Sequence, residues 1–73
     1  MIKLYSKPNC MQCLFTKQFL ENNNIEYETI DVSVDEKSLE YVKSLGFSAM
    51  PVVENGEDKW FGFRPEKLEG LKK

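Results

Sequence analysis

The order of hydrophobic patterns at the start of the chain is the feature that most constrains its fold. Residues 1–5 are β-prone, and a polar break at residues 6–9 ends that stretch. A helical pattern then covers residues 10–23, and residues 25–32 alternate again as a strand does. A helix between two strands within about thirty residues is a βαβ unit. We therefore predict two parallel strands joined by a right-handed crossover.

Apolar residues mark one face of this first helix. They recur at steps of three and four residues, the spacing of an amphipathic helix, and they are Met11, Leu14, Phe15 and Phe19. We expect these four to form the apolar face, with Gln12, Thr16 and Lys17 mostly on other sides. The asparagines at positions 22–24 tolerate the left-handed conformation that ends a helix, so the helix is predicted to stop there.

The middle of the chain carries start and stop signals for a second helix. Ser33 and Glu36 fit a capping box, with Ser33 as the N-cap. Gly46 is typical of the residue that follows a helix C-terminus. The residues expected to point inward from this helix are Leu39, Val42 and Leu45.

A hairpin and a short helix complete the predicted order. Residues 50–53 form a third strand, Asn55-Gly56 is a hairpin-turn signal, and residues 58–61 form a fourth strand. Pro65 is typical of a first helical residue, and the last helix turns Leu68 and Leu71 inward. The sequence thus predicts one α/β domain spanning residues 1–73, in the order β-α-β-α-β-β-α.

Composition excludes several classes of function. The chain has 73 residues, 41% hydrophobic and 30% charged, which is typical of a small globular domain. Its net charge is −2 and its basic residues are scattered, so it lacks the concentrated basic face that nucleic acid requires. The absence of histidine excludes a Ser–His triad and a histidine-based metal site. With no stretch that resembles a signal peptide or a transmembrane helix, we expect a cytoplasmic monomer with no membrane role.

The only two cysteines, Cys10 and Cys13, stand at the predicted start of the first helix. A helix N-terminus presents free N–H groups and the positive end of the helix dipole, which favour a thiolate at Cys10. Cys13 follows by about one helical turn, which is near enough for a disulfide and closer to the core. We therefore predict that Cys10 is the nucleophile and Cys13 the resolving cysteine of a thiol–disulfide reaction. Lys7 adds weak Coulombic support.

Three other interpretations of the cysteine pair stand beside this one. A structural disulfide would close a loop of only four residues and so would stabilise the fold little. A zinc or iron–sulfur site needs about four soft ligands, so it would require a second chain or an external thiol. Two incidental cysteines would serve only as small hydrophobes. The strand–helix context favours redox chemistry over all three.

Four segments of the sequence resemble the NrdH-redoxins, a glutaredoxin-like family. They are KPNCMQC at 7–13, LGF at 45–47, MPVV at 50–53 and WFGFRP at 60–65. The resemblance implies a thioredoxin/glutaredoxin fold, in which three helices flank a four-stranded mixed sheet. It also implies a dithiol electron donor to the large subunit of class Ib ribonucleotide reductase, recharged by thioredoxin reductase. The protein would then need no cofactor of its own, because NADPH acts only through the reductase.

The resemblance also assigns residues to partner binding. The Met50–Pro51 bond is expected to be cis and to lie opposite the sulfurs, so that the Met50 backbone pairs with an extended peptide. A strand-opening proline with no role in recognition is the alternative. Trp60 and Phe63 are expected to be partly core and partly docking surface, and Phe61 replaces the serine that is usual in the family. The predicted partner-binding residues are Lys7, Met11, Gln12, Met50, Pro51, Trp60, Phe61 and Phe63.

Two departures from glutathione-dependent glutaredoxins bear on the substrate. Those proteins have a Gly-Gly run followed by an acidic residue after the hairpin, whereas here Gly62 is followed by residues 63–65, Phe-Arg-Pro. Their active-site tyrosine is replaced by Gln12. We therefore expect weak recognition of glutathione and a protein disulfide as the substrate. A glutathione-dependent glutaredoxin and a dimeric zinc or iron–sulfur module remain the alternatives.

Overall fold

The computed structural model describes residues 2–56 and 58–71. Its elements are β1 (Ile2–Ser6), α1 (Met11–Asn22), β2 (Tyr27–Asp31), α2 (Glu36–Ser44), β3 (Val52–Asn55), β4 (Asp58–Phe61) and α3 (Pro65–Glu69). The strand order in the sheet is β2-β1-β3-β4. β1 is parallel to β2 and antiparallel to β3, and β3 is antiparallel to β4. The predicted α/β class, the element order and the parallel pairing of the first two strands are confirmed.

The two faces of the sheet carry separate apolar clusters, because neighbouring residues of a strand point to opposite faces. Leu4 belongs to a cluster with Leu20 of α1 and Leu68 of α3. Tyr5 belongs to the other cluster, with Val42 of α2. Helices α1 and α3 therefore cover one face of the sheet, and α2 covers the other.

The predicted apolar face of α1 is wrong. Three of the residues expected to face the core are exposed instead, namely Met11 (61%), Leu14 (43%) and Phe15 (44%). The buried stripe lies on another side of the helix and consists of Cys13, Thr16 and Leu20. Thr16 can be buried because its hydroxyl donates to the Gln12 carbonyl at 2.9 Å, so the hydroxyl is not left without a partner. Of the predicted set, only Phe19 packs against the core, as a partly buried residue.

The predicted capping box of α2 is also wrong. The N-cap is Asp35, whose Oδ1 accepts a hydrogen bond from the Ser38 N–H at 3.3 Å. Ser33 instead donates its backbone N–H and its hydroxyl to Asp31 Oδ1, at 2.9 and 2.6 Å. These local hydrogen bonds hold Ser33 in the turn after β2, so the helix begins two residues later than the capping box requires.

Most of the predicted turns are in place, with small shifts of the strands. Gly46 follows α2 with a φ of +90°, as a residue after a helix C-terminus does. β2 and β3 each begin two residues later than predicted. Asn55 belongs to β3 rather than to the turn, and Gly56, with a φ of +63°, follows it. Pro65 begins α3, as predicted.

Candidate active site

The two cysteines form a disulfide at the N-terminal end of α1. β1 ends at Ser6, and the turn that follows contains Asn9 in the left-handed region, with a φ of +60°. Cys10 then adopts an extended conformation as the N-cap of α1. The Cα atoms of Cys10 and Cys13 are 5.2 Å apart, within the usual range for a disulfide.

The helix end around Cys10 favours a negative charge on its sulfur. The Cys13 N–H points at Cys10 Sγ, with 3.2 Å between nitrogen and sulfur. In the reduced protein this N–H and the positive end of the helix dipole stabilise a thiolate. The first turn of α1 carries no acidic residue that would oppose that charge. The local electrostatics therefore favour Cys10 over Cys13 as the attacking sulfur.

The two cysteines differ in access to solvent. Cys10 is half-buried, whereas Cys13 is only 6% exposed and belongs to the buried stripe of α1. A disulfide on another protein therefore meets Cys10 first, and Cys13 lies behind it. The structure brings the two residues together as predicted, and their separate roles as nucleophile and resolving cysteine stay a prediction.

The Met50–Pro51 peptide bond is cis, as the resemblance implies. The Met50 carbonyl oxygen lies 3.8 Å from Cys10 Sγ, so this loop faces the disulfide. Pro51 is buried, and its carbonyl accepts a hydrogen bond from the Gly62 N–H at 2.7 Å. Met50 is half-buried. Of this pair, Met50 is therefore the residue that offers surface to a partner.

Gln12 makes a contact that the sequence analysis missed. Its side-chain Oε1 accepts a hydrogen bond from the Phe63 N–H at 3.1 Å, although the two residues are 51 positions apart. Gly62 has a φ of +83°, and a Cβ at that position would lie 3.4 Å from the same Oε1. Gln12 thus holds the segment between β4 and α3 against the start of α1. The only sequence signal for this contact is the glycine that follows β4.

The three aromatic residues predicted to bind partners lie in different environments. Trp60 is 5% exposed and belongs to the core cluster of α1 and α3, so it offers almost no docking surface. Phe61 is 42% exposed and contacts Phe47, with ring centroids 5.5 Å apart. Phe63 is half-buried and contacts Phe15 edge-on, with centroids 5.9 Å apart. The apolar surface on the two sides of Gly62 therefore comes from Phe61 and Phe63.

A groove of about 470 Å³ runs beside the disulfide, on the side of β1 and β2. The residues that α1 and its N-cap contribute are Cys10, Met11, Cys13, Leu14 and Lys17. Lys7 lines the groove from the loop before α1. Two of the predicted partner-binding residues, Lys7 and Met11, are thus exposed beside the disulfide.

Within residues 2–56 and 58–71, no three His, Cys, Asp or Glu side chains lie close enough together to hold a metal ion. No helix in the described ranges is both long enough and apolar enough to cross a bilayer.

The fold and the site together define the class of the protein. A cysteine pair at the first helix of a βαβ unit, facing a cis-proline, is the active-site arrangement of the thioredoxin/glutaredoxin fold. The chain is a dithiol–disulfide oxidoreductase of that fold.

Comparison with known proteins identifies the family. The sequence profile of the glutaredoxin family matches residues 2–59. The glutaredoxin-like protein NrdH of Lactococcus lactis is 37% identical over 97% of this chain and 99% of its own length. The NrdH of Salmonella typhimurium is 34% identical over 96% of this chain and 86% of its own length. The structure of Escherichia coli NrdH-redoxin superposes with a TM-score of 0.95 at 35% identity, covering 99% of this chain and 95% of that one. The chain belongs to the glutaredoxin family and, within it, to the NrdH-redoxins.

Proposed function

We propose that this protein is a dithiol electron donor to class Ib ribonucleotide reductase and that thioredoxin reductase restores its dithiol form. The observation that carries the proposal is the disulfide itself, with an accessible Cys10 at a helix N-terminus and Cys13 sheltered behind it. The likeness to NrdH proteins over nearly the whole chain supports it. The E. coli NrdH-redoxin is described as glutaredoxin-like with a thioredoxin-like activity profile, which supports a reductase rather than glutathione as the source of electrons.

The proposed reaction transfers two electrons to the partner in two thiol–disulfide exchanges. The Cys10 thiolate attacks one sulfur of the partner's disulfide, and the other partner sulfur leaves as a thiolate and takes up a proton. The Cys13 thiol then loses its proton and attacks Cys10 Sγ, which breaks the mixed disulfide. The partner leaves as a dithiol, and the protein is left with the Cys10–Cys13 disulfide.

The return reaction needs two electrons from outside the chain. Thioredoxin reductase passes them from NADPH to the disulfide, so NADPH is oxidised and Cys10 and Cys13 become thiols again. The protein itself needs no cofactor for either half of this cycle. Both proposed partners place its action in the cytoplasm, where we expect it to work as a monomer.

The experiment that tests the electron source follows NADPH oxidation with a protein disulfide as the final acceptor. One arm contains thioredoxin reductase, and the other contains glutathione with glutathione reductase. We expect faster turnover with thioredoxin reductase, because Phe63-Arg64-Pro65 stand where a glutathione-binding Gly-Gly-acidic run would follow the hairpin. The glutaredoxin profile match makes a glutathione-dependent enzyme the second candidate, and faster turnover in the glutathione arm would favour it.

A trapping experiment tests the acceptor and the roles of the two cysteines. Cys13→Ser keeps the attacking sulfur but removes the resolving one, so it should accumulate a covalent adduct with the ribonucleotide reductase large subunit. Cys10→Ser is the matched control and should form little adduct, because Cys13 is only 6% exposed. Equal trapping by both variants would contradict the division of roles, and no trapping by either would contradict the acceptor.

A further inference from the structure

The groove beside the disulfide has a distinct charge. Lys7 and Lys17 both line it, and both are exposed. Neither lysine is paired with a carboxylate in the part of the chain that the structure describes. None of the residues lining the groove carries a carboxylate either. The groove is thus a local positive site on a protein whose net charge is −2, which favours an anionic occupant.

The groove is also partly apolar. Met11 and Leu14, which lie between Lys7 and Lys17 in the sequence, line it as well and are 61% and 43% exposed. Exposed apolar side chains of this size cost free energy in water, and a partner that covers them recovers it. An occupant that fits the groove therefore combines an apolar side chain with a carboxylate.

The distance along the helix between Cys10 and Lys17 sets the spacing of those two groups. Lys17 lies seven residues after Cys10, which corresponds to about 10 Å along a helix axis. An extended peptide rises about 3.3 Å per residue, so about three residues span the same distance. A peptide with its cysteine at Cys10 thus brings a carboxylate to Lys17 when the acidic residue is about three positions from that cysteine.

We propose that this groove binds an extended segment of the protein substrate, with an acidic residue about three positions from the reacting cysteine and an apolar residue between them. The inference rests on the proposed function only in taking the substrate to be a protein disulfide. It adds a specificity determinant, Lys17, which follows Cys10 by about two helical turns.

The test measures the rate at which the pre-reduced protein reacts with short peptides. The single cysteine of each peptide is disulfide-linked to 2-thiopyridine, a neutral leaving group. Cys10 attacks the peptide sulfur and releases thiopyridone, which is followed by absorbance, and Cys13 then frees the peptide thiol. Four peptides carry Glu or Lys three positions before or after the cysteine, with Leu between. We expect one Glu peptide to react up to about fivefold faster than its Lys counterpart at low salt, since an exposed ion pair accounts for up to about fivefold in binding. The ratio should fall towards one at high salt.

Three variants assign the effect to the groove. Lys17→Glu should reverse the preference, and Lys17→Met should abolish it while retaining the aliphatic stem. Lys43→Glu is the matched control, because it makes the same change of net charge at an exposed position of α2, on the other face of the sheet, and should leave the preference intact. Equal rates for all four peptides, or equal effects of Lys17→Glu and Lys43→Glu, would overturn the groove assignment. If no peptide releases thiopyridone, the dithiol chemistry itself fails, and the proposed function fails with it.

Discussion

Leu14 and Leu20 are a matched pair for testing which side of α1 faces the core. Leu20 is fully buried in the cluster with Leu4 and Leu68, whereas Leu14 is 43% exposed. Leu20→Ala removes buried methyl groups and should lower the free energy of unfolding by about 2–5 kcal/mol. Leu14→Ala removes a side chain that is already half in water, and its cost should be about 0.5–1 kcal/mol.

These two costs separate clearly in a denaturation experiment. In a domain of this size, 1 kcal/mol shifts the melting temperature by about 4–8 °C. Leu20→Ala should therefore lower the melting temperature by at least about 8 °C, and Leu14→Ala by less than that. Urea and thermal unfolding of the oxidised proteins, followed by circular dichroism with the disulfide intact, measure both values. Similar losses for the two variants would refute the orientation of α1 and would remove Leu14 from the groove.

Three further predictions concern the contacts around the sheet and the site. Gln12→Ala removes the acceptor of the Phe63 N–H, so hydrogen exchange at that amide should accelerate and stability should fall by about 1 kcal/mol, whereas Gln12→Glu keeps an acceptor. Burial, and next the Glu54 carboxylate, raise the pKa of Tyr5 to about 12. The neutral phenol is therefore favoured in the folded state, and its stabilisation is complete below about pH 10 and is lost as the pH rises towards 12. As the pH rises from below 10 towards 12, the urea midpoint should fall less for Tyr5→Phe than for the unsubstituted protein. Equal falls for the two proteins would exclude this cause. Asp35→Ala removes the N-cap of α2 and should cost about 1 kcal/mol in urea unfolding, while Asp35→Ser should recover most of it.

The order of elements was predictable because each boundary has a local cause. Pro65 begins α3 and Gly46 follows α2, since a fixed φ and a left-handed φ suit those two positions. The Cys10–Cys13 pair was predictable for the same reason. Its assignment as a redox pair depends only on the strand, turn and helix around it. Signals of this kind act within a few residues and need no knowledge of the rest of the chain.

The parts that were predicted wrongly depend on competition between similar signals. Two sides of α1 carry apolar residues at helical spacing, and the polar appearance of Thr16 favoured the wrong side. Its hydroxyl is satisfied by the Gln12 carbonyl within the same helix, so burial of Thr16 leaves no hydrogen bond unmade. At α2, Ser33 and Asp35 compete for the N-cap, and the hydrogen bonds of Ser33 to Asp31 decide the outcome. The contact of Gln12 with Phe63 joins residues 51 positions apart, beyond the reach of any local pattern.

The two sides of α1 separate the stability of the fold from recognition of the substrate. The inner side, with Thr16 and Leu20, fixes the helix on the sheet, and substitutions there act on the whole domain. The outer side, with Leu14 and Lys17, lines the groove beside Cys10 and contributes little to the core. Substitutions on the outer side can therefore change which protein disulfide is reduced at little cost in stability. Because backbone groups at the end of the helix favour a thiolate at Cys10, we expect such substitutions to alter selectivity without altering the chemistry.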